Sequence, residues 1–188
     1  MLTMKKLNKI LIYTTLNTML MMSFSGCDLL EDAKSIDFDV TLQDDFLVNA
    51  SEEDGTAYTQ ELILDATADP DIRDNLSKIE NYSINEIEYG ISNYSGSPEN
   101  LFSGSIQFSN LTSGSGQFSA SLNNINLSAA SNAGSQTLPL SDNDLRELES
   151  ILKNANGLKV FLNGNFTEVP VSFSLNIKLS VKVEADAT

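Results

Sequence analysis

From Val169 to Ala185 the chain reads VPVSFSLNIKLSVKVEA, and every odd position is apolar while the even positions are Pro, Ser, Asn, Lys or Glu. A side-chain period of two belongs to a β-strand with one buried and one wet face. At about 3.3 Å per residue such a strand spans on the order of 55 Å. That is long for one strand, so it must bend or serve two partners. The LKVFLNGNF stretch, 158–166, is the expected neighbour.

The same period recurs upstream. SIDFDVTLQ, 35–43, places Ile36, Phe38, Val40 and Leu42 on one side and Asp37, Asp39, Thr41 and Gln43 on the other. Turn formers follow, with Asp54-Gly55 as a hairpin signal, and YTQELILDA, 58–66, resumes the alternation. A hairpin of 36–48 with 57–67 is expected. Ile87, Tyr89 and Ile91 mark another strand, and LFSGSIQFS (101–109) and GQFSASLNNINLSA (116–129) two more. In the last, Phe118, Ala120 and Leu122 hold one phase and Ile125 and Leu127 the other, so Asn123-Asn124 marks a bulge or a turn.

Two helices interrupt the strands. Asp69-Pro70 opens the first, about 70–79, with Ile72, Leu76 and Ile79 on one face. The second, about 142–154, has a Ser141-x-x-Asp144 capping pattern, an apolar stripe of Leu145, Leu148, Ile151 and Leu152, and a stop at Asn156-Gly157. The expected fold class is mainly β: an antiparallel β-sandwich or partly closed barrel with two short helices. A membrane barrel is disfavoured, because the strands are few and aromatic girdles are missing.

The N-terminal stretch KKLNKILIYTTLNTMLMMSFSGC, residues 5–27, is patterned differently. Lys5, Lys6 and Lys9 precede an apolar run from Ile10 to Phe24, and small residues Ser25 and Gly26 precede Cys27, the single cysteine. This is the layout of a secretory signal. FSGC at 24–27 resembles the lipobox of bacterial lipoproteins, with Phe24 standing where Leu is usual. The resemblance implies a signal peptide over 1–26 cut after Ser25-Gly26. It also implies a lipidated Cys27 heading an acidic tether (27–35), and one mainly-β domain over 36–188. Two or three acyl chains on Cys27 would anchor the protein stably to a membrane. DLLEDA after Cys27 resembles surface-export signals of some diderm bacteria, Asp28 directly after Cys resembles an inner-membrane retention signal, and a short solvated tether is the plainer alternative. The cell envelope is the expected location, with the outer membrane, on either face, favoured over the inner.

Composition narrows function by exclusion. No His is present, which removes His-dependent triads, two-His metal sites and a histidine pH switch; one Cys removes intramolecular disulfides. The net charge of −15 opposes nucleic-acid backbones. No phosphate loop, nucleophile elbow or other cofactor motif occurs, so no cofactor is expected.

Three constellations could carry chemistry. Asp142 and Asp144, with Asn143, Glu147 and Glu149, are candidate cation ligands, although acids in a first helical turn are more simply read as favouring the helix dipole. Ser51–Gly55 with Asp44 and Asp45 is a second acidic group, more simply a solvated loop. A carboxylate pair for glycoside hydrolysis needs no His, but no local motif nominates one. Of the tyrosines, Tyr89 is in phase with the core and Tyr94, at a strand end, is a candidate contact. The leading reading is an envelope lipoprotein with a non-enzymatic binding or structural role. Its partners are a membrane, through Cys27, and an unidentified protein or glycan. The alternatives are a His-free, carboxylate-dependent glycan-processing enzyme and an apolar-ligand carrier, the latter suggested by the long amphipathic strand.

Overall fold

The computed structural model describes residues 35–187; Ser25, Gly26 and Cys27 lie outside the described residues. Eight strands form two four-stranded antiparallel sheets. Sheet A runs in the order β1 (Ser35–Ala50), β8 (Val171–Asp186), β3 (Ile79–Ser95), β6 (Gln136–Thr137). Sheet B runs β2 (Ala57–Asp65), β7 (Gly157–Phe166), β4 (Leu101–Ser109), β5 (Phe118–Asn126). The two sheets are separate, so the architecture is an antiparallel β-sandwich and not a barrel.

The long alternating strand is the centre of sheet A. β8 pairs with β1 along all 16 residues of that strand, from Ser35 opposite Asp186 to Ala50 opposite Val171, and with β3 on its other side. Its odd residues from Val171 to Ala185 are all buried. From sheet B, Leu158, Val160, Leu162 and Phe166 of β7 and Phe102, Ile106 and Phe108 of β4 complete the core. Each such side chain contributes about 1.5–3 kcal/mol by leaving water.

Partner choice departs from the sequence reading. The expected hairpin of 36–48 with 57–67 does not form: β1 lies in sheet A, whereas β2 pairs with β7 in sheet B. Nor does 158–166 pair with the C-terminal strand, since β7 and β8 also belong to different sheets. The Asp54-Gly55 turn is present, with Gly55 at φ +74°, but it carries the chain from one sheet to the other. An apolar face is buried against the opposite sheet whichever strand lies beside it, so alternation alone does not choose the hydrogen-bonding partner. Among the described strands, β4 and β5 are the one consecutive pair that hydrogen-bonds as a hairpin.

The helices also differ in part. Asp69 accepts hydrogen bonds from the Asp71 and Ile72 N–H groups and starts α1 (Pro70–Asn75), which stops short of 79 because Ile79 enters β3 opposite Ala185. A short 3-10 turn, Ala66–Ala68, precedes it. The phase switch after Leu122 is a bulge, with Asn124 at φ +52° and a register shift between Phe102 and Gly104. Beyond it the chain leaves the sheet. Asn126 caps α2 (Leu127–Ala133), so Leu127 is a buried helix residue and not a strand one. The 142–154 helix is present as α3 (Asp142–Ala155), with the expected capping box and a left-handed cap at Asn156.

α3 packs on β3. The Ile84 N–H donates to the Glu149 carboxylate at 2.8 Å, and the Leu138 N–H donates to the Ile87 carbonyl at 2.7 Å. Two backbone groups of β3 that would otherwise be open to another strand are thereby engaged, beside its pairing with β6. None of the helices among the described residues is long and apolar enough to cross a membrane.

Candidate functional site

The outward face of sheet B is set by strand parity. With Leu158, Val160 and Leu162 inward, β7 turns Lys159, Phe161 and Asn163 outward. Register then builds two rows across the sheet: Thr59, Asn163 and Ser105; and Glu61, Phe161 and Gln107. The β4–β5 loop walls one side through Gly114–Gly116. At Gly116 a Cβ would sit 2.3 Å from the Gln107 Cβ, so the loop can lie against Gln107 only with glycine there. The result is an open groove of about 530 Å³.

Phe161 is its floor, 7 % exposed although it points away from the core. The Lys159 ammonium stands 5.9 Å from the ring centroid and 3.6 Å from the Glu61 carboxylate. The one anion and one cation at the groove therefore offset each other. The Gln107 amide donates to the Ser105 hydroxyl at 3.0 Å, which orients it. Three amides (Gln60, Gln107, Asn163) and two hydroxyls (Thr59, Ser115), each able to donate and accept, surround an aromatic ring on a sheet. On a chain of charge −15 this is a locally neutral, hydrogen-bonding surface. Glu61 is the one carboxylate lining the groove, which thus supplies no pair for acid–base cleavage of a glycosidic bond.

The residues singled out from sequence sit elsewhere. Asp142 and Asp144 occupy the first turn of α3. The Asp144 carboxylate accepts the Ser141 hydroxyl at 2.7 Å, and Ser141 Oγ accepts the Asp144 N–H at 3.1 Å. Asp54 accepts the Ser51 hydroxyl at 2.6 Å and the Ser51 N–H at 3.0 Å, and these bonds hold its carboxyl below the usual carboxylate range. Among the described residues no group of three or more Asp, Glu or Cys is placed to hold a metal ion. Tyr89 is buried, as its phase implied, and its hydroxyl donates to Gln136 at 3.0 Å. Tyr94 packs against the core and donates to the Ser97 carbonyl. The apolar face of β8, which raised the carrier reading, is occupied by the core.

Phe161, Gln107 and Asn163 were not singled out from sequence. One signal was available: in LKVFLN, Phe161 falls on the polar parity between Val160 and Leu162.

No protein-family model and no curated protein matches the chain. Among solved structures it is similar to that of Turnip Yellow Mosaic Virus, at TM-score 0.40 and 9 % identity over 81 % of this chain and 96 % of that one. It is also similar to Desmodium yellow mottle tymovirus, at 0.36 and 7 % over 82 % of each chain. A third likeness is to the decameric BFDV capsid protein, at 0.36 and 11 % over 79 % and 99 %. At these scores the likenesses carry no further reading.

Proposed function

We propose that this chain is a lipid-anchored, non-enzymatic binding protein of the cell envelope, held through Cys27 and engaging a neutral, hydroxyl-rich partner such as a glycan. The anchor rests on the Ser25-Gly26-Cys27 motif behind a basic and apolar leader. The binding role is carried by one observation: a groove with an aromatic floor and uncharged amide and hydroxyl walls on an otherwise acidic protein. Amides suit sugar hydroxyls because both partners donate and accept.

Intact mass of the detergent-extracted protein tests the anchor. A chain beginning at an acylated Cys27 is expected, and an unmodified Cys27 or another first residue overturns it. Titration with neutral gluco-, manno- and N-acetylhexosamine oligomers tests the groove. Saturable binding lost in Gln107→Ala and Asn163→Ala is expected. Binding unaffected by either substitution, or none across the panel, removes the groove.

A further inference from the structure

β1 is an edge strand whose two halves are treated differently. Asp45 turns its N–H away from β8, to its neighbour's Asp44 carboxylate at 2.8 Å. Alternate residues of an antiparallel strand point their backbone groups the same way. The odd residues of β1 therefore face the open side, and the even ones face β8. In the second half that open side is partly answered, Asp45 by Asp44, the Asn49 backbone by the Tyr58 hydroxyl of β2, and Ser51, just beyond, by Asp54 at 3.0 Å, while Leu47 between them has no such partner among the described residues. In the first half, the backbone N–H and C=O groups of Asp37, Asp39, Thr41 and Gln43 face outward with no such partner among the described residues.

The flanking side chains specify what would fit. On the inner face the bare stretch presents Ile36, 53 % exposed, half-buried Phe38, then Val40 and Leu42. On the outer face Asp37 and Asp39 share one ammonium, Lys182, which also feels Glu184. That is one cation among three carboxylates. A recess of about 240 Å³ opens beside Thr41–Gln43, bounded by Asp65, Ala68 and Pro70. The strand already seated on the other side of β1 shows the matching pattern: in β8, Ile177-Lys178-Leu179 and Val181-Lys182-Val183 alternate apolar with basic, and Lys182 bonds Asp37 at 2.6 Å.

We propose that residues 37–43 of β1 are a strand-addition site for an extended segment of another protein in which apolar and basic residues alternate. The added strand would take its hydrogen bonds from the open backbone, its apolar side chains would continue the inner face, and its Lys or Arg would answer Asp37 and Asp39. A second copy's β1 is a poor occupant, since it brings its own aspartates to the same edge.

The test titrates a short labelled peptide of alternating Val and Lys into the full chain in neutral detergent. Saturable binding is expected, about tenfold weaker when the peptide's ladder amides are N-methylated. Thr41→Pro removes an outward N–H without touching the β1–β8 ladder, and should abolish binding while leaving thermal unfolding in place. Charge reversal at Asp37 and Asp39 to Lys should switch preference to a Val–Glu peptide. Equal binding of the N-methylated peptide, binding retained by folded Thr41→Pro, or no binding overturns the proposal. So does self-association that Thr41→Pro dissolves, which would make the occupant a second copy. If Thr41→Pro does not fold, the N-methylated peptide decides alone.

Discussion

The side chain of Asn100 holds the backbone of Glu168 from both ends: its amide donates to the Glu168 carbonyl at 2.7 Å and its oxygen accepts the Glu168 N–H at 3.2 Å. The same oxygen accepts the Thr167 hydroxyl at 3.1 Å, and Asn100 is fully buried. The start of β4 is thereby tied to the turn between β7 and β8. Asn100→Ala leaves several buried polar groups unpaired and should cost about 3 kcal/mol in urea unfolding. In Asn100→Asp the carboxylate faces the Glu168 carbonyl, so its defect should ease on acidification, when the protonated acid can donate again.

Glu149 replaces a missing strand on the edge of β3 by accepting the Ile84 N–H. Glu149→Ala should destabilise the fold by about 1–2 kcal/mol. Glu149→Gln keeps an acceptor oxygen and should recover most of that loss. Equal loss in both variants would assign the effect to charge instead.

Gly104 and Gly164 face each other across β4 and β7, and the Phe102 ring lies over them. A Cβ on Gly164 would stand 2.4 Å from Phe102 Cζ, whereas one on Gly104 would stand 2.1 Å from the Asn163 carbonyl. Both Gly→Ala changes should cost about 1–3 kcal/mol or more. Shortening Phe102 to Leu should relieve part of the Gly164→Ala defect and little of the other, because a ring can be removed and a backbone cannot. A double-mutant cycle on denaturation midpoints reads the difference.

Tyr82 is 1 % exposed and its hydroxyl has no hydrogen-bond partner among the described residues. Tyr82→Phe should therefore stabilise the protein by about 1 kcal/mol at neutral pH. Burial pushes the phenols of Tyr82, Tyr89 and Tyr58 above their ordinary value of 10.0, and the Glu88 and Asp37 hydrogen bonds push Lys178 and Lys182 above 10.5. In each case the folded state holds its proton after the unfolded state has released it. Stability from all these groups is complete below about pH 10 and falls as pH rises beyond it. With no His to titrate near neutrality, the midpoint should change little between about pH 6 and 9 and drop above 10, less steeply in Tyr82→Phe.

Single elements were legible where one pattern governed them. The alternation of 171–185 set β8, and Ser141 with Asp144 set α3 because a cap is a local hydrogen bond. Pairing was not legible, since it depends on which faces meet across the sandwich, and the Asp54-Gly55 signal describes a turn without saying where its arms go. Leu127 continued a strand phase in sequence, yet Asn126 caps a helix there, a local hydrogen bond that the alternation of Ile125 and Leu127 masked. Phe161 could be found by its parity, but Gln107 and Asn163 become its neighbours only through register between β4 and β7.

The placement of β8 fixes the timing of assembly. Among the described residues, β1 and β3, its two flanking strands, are bridged by β8 alone. During synthesis the β1–β8–β3 part of sheet A therefore waits for β8 to emerge, while β3 with β6 and β4 with β5 can pair before it. Folding dominated by such distant pairings is slow, so closing sheet A around β8 trails the local β4–β5 hairpin and sets the pace of the whole sandwich.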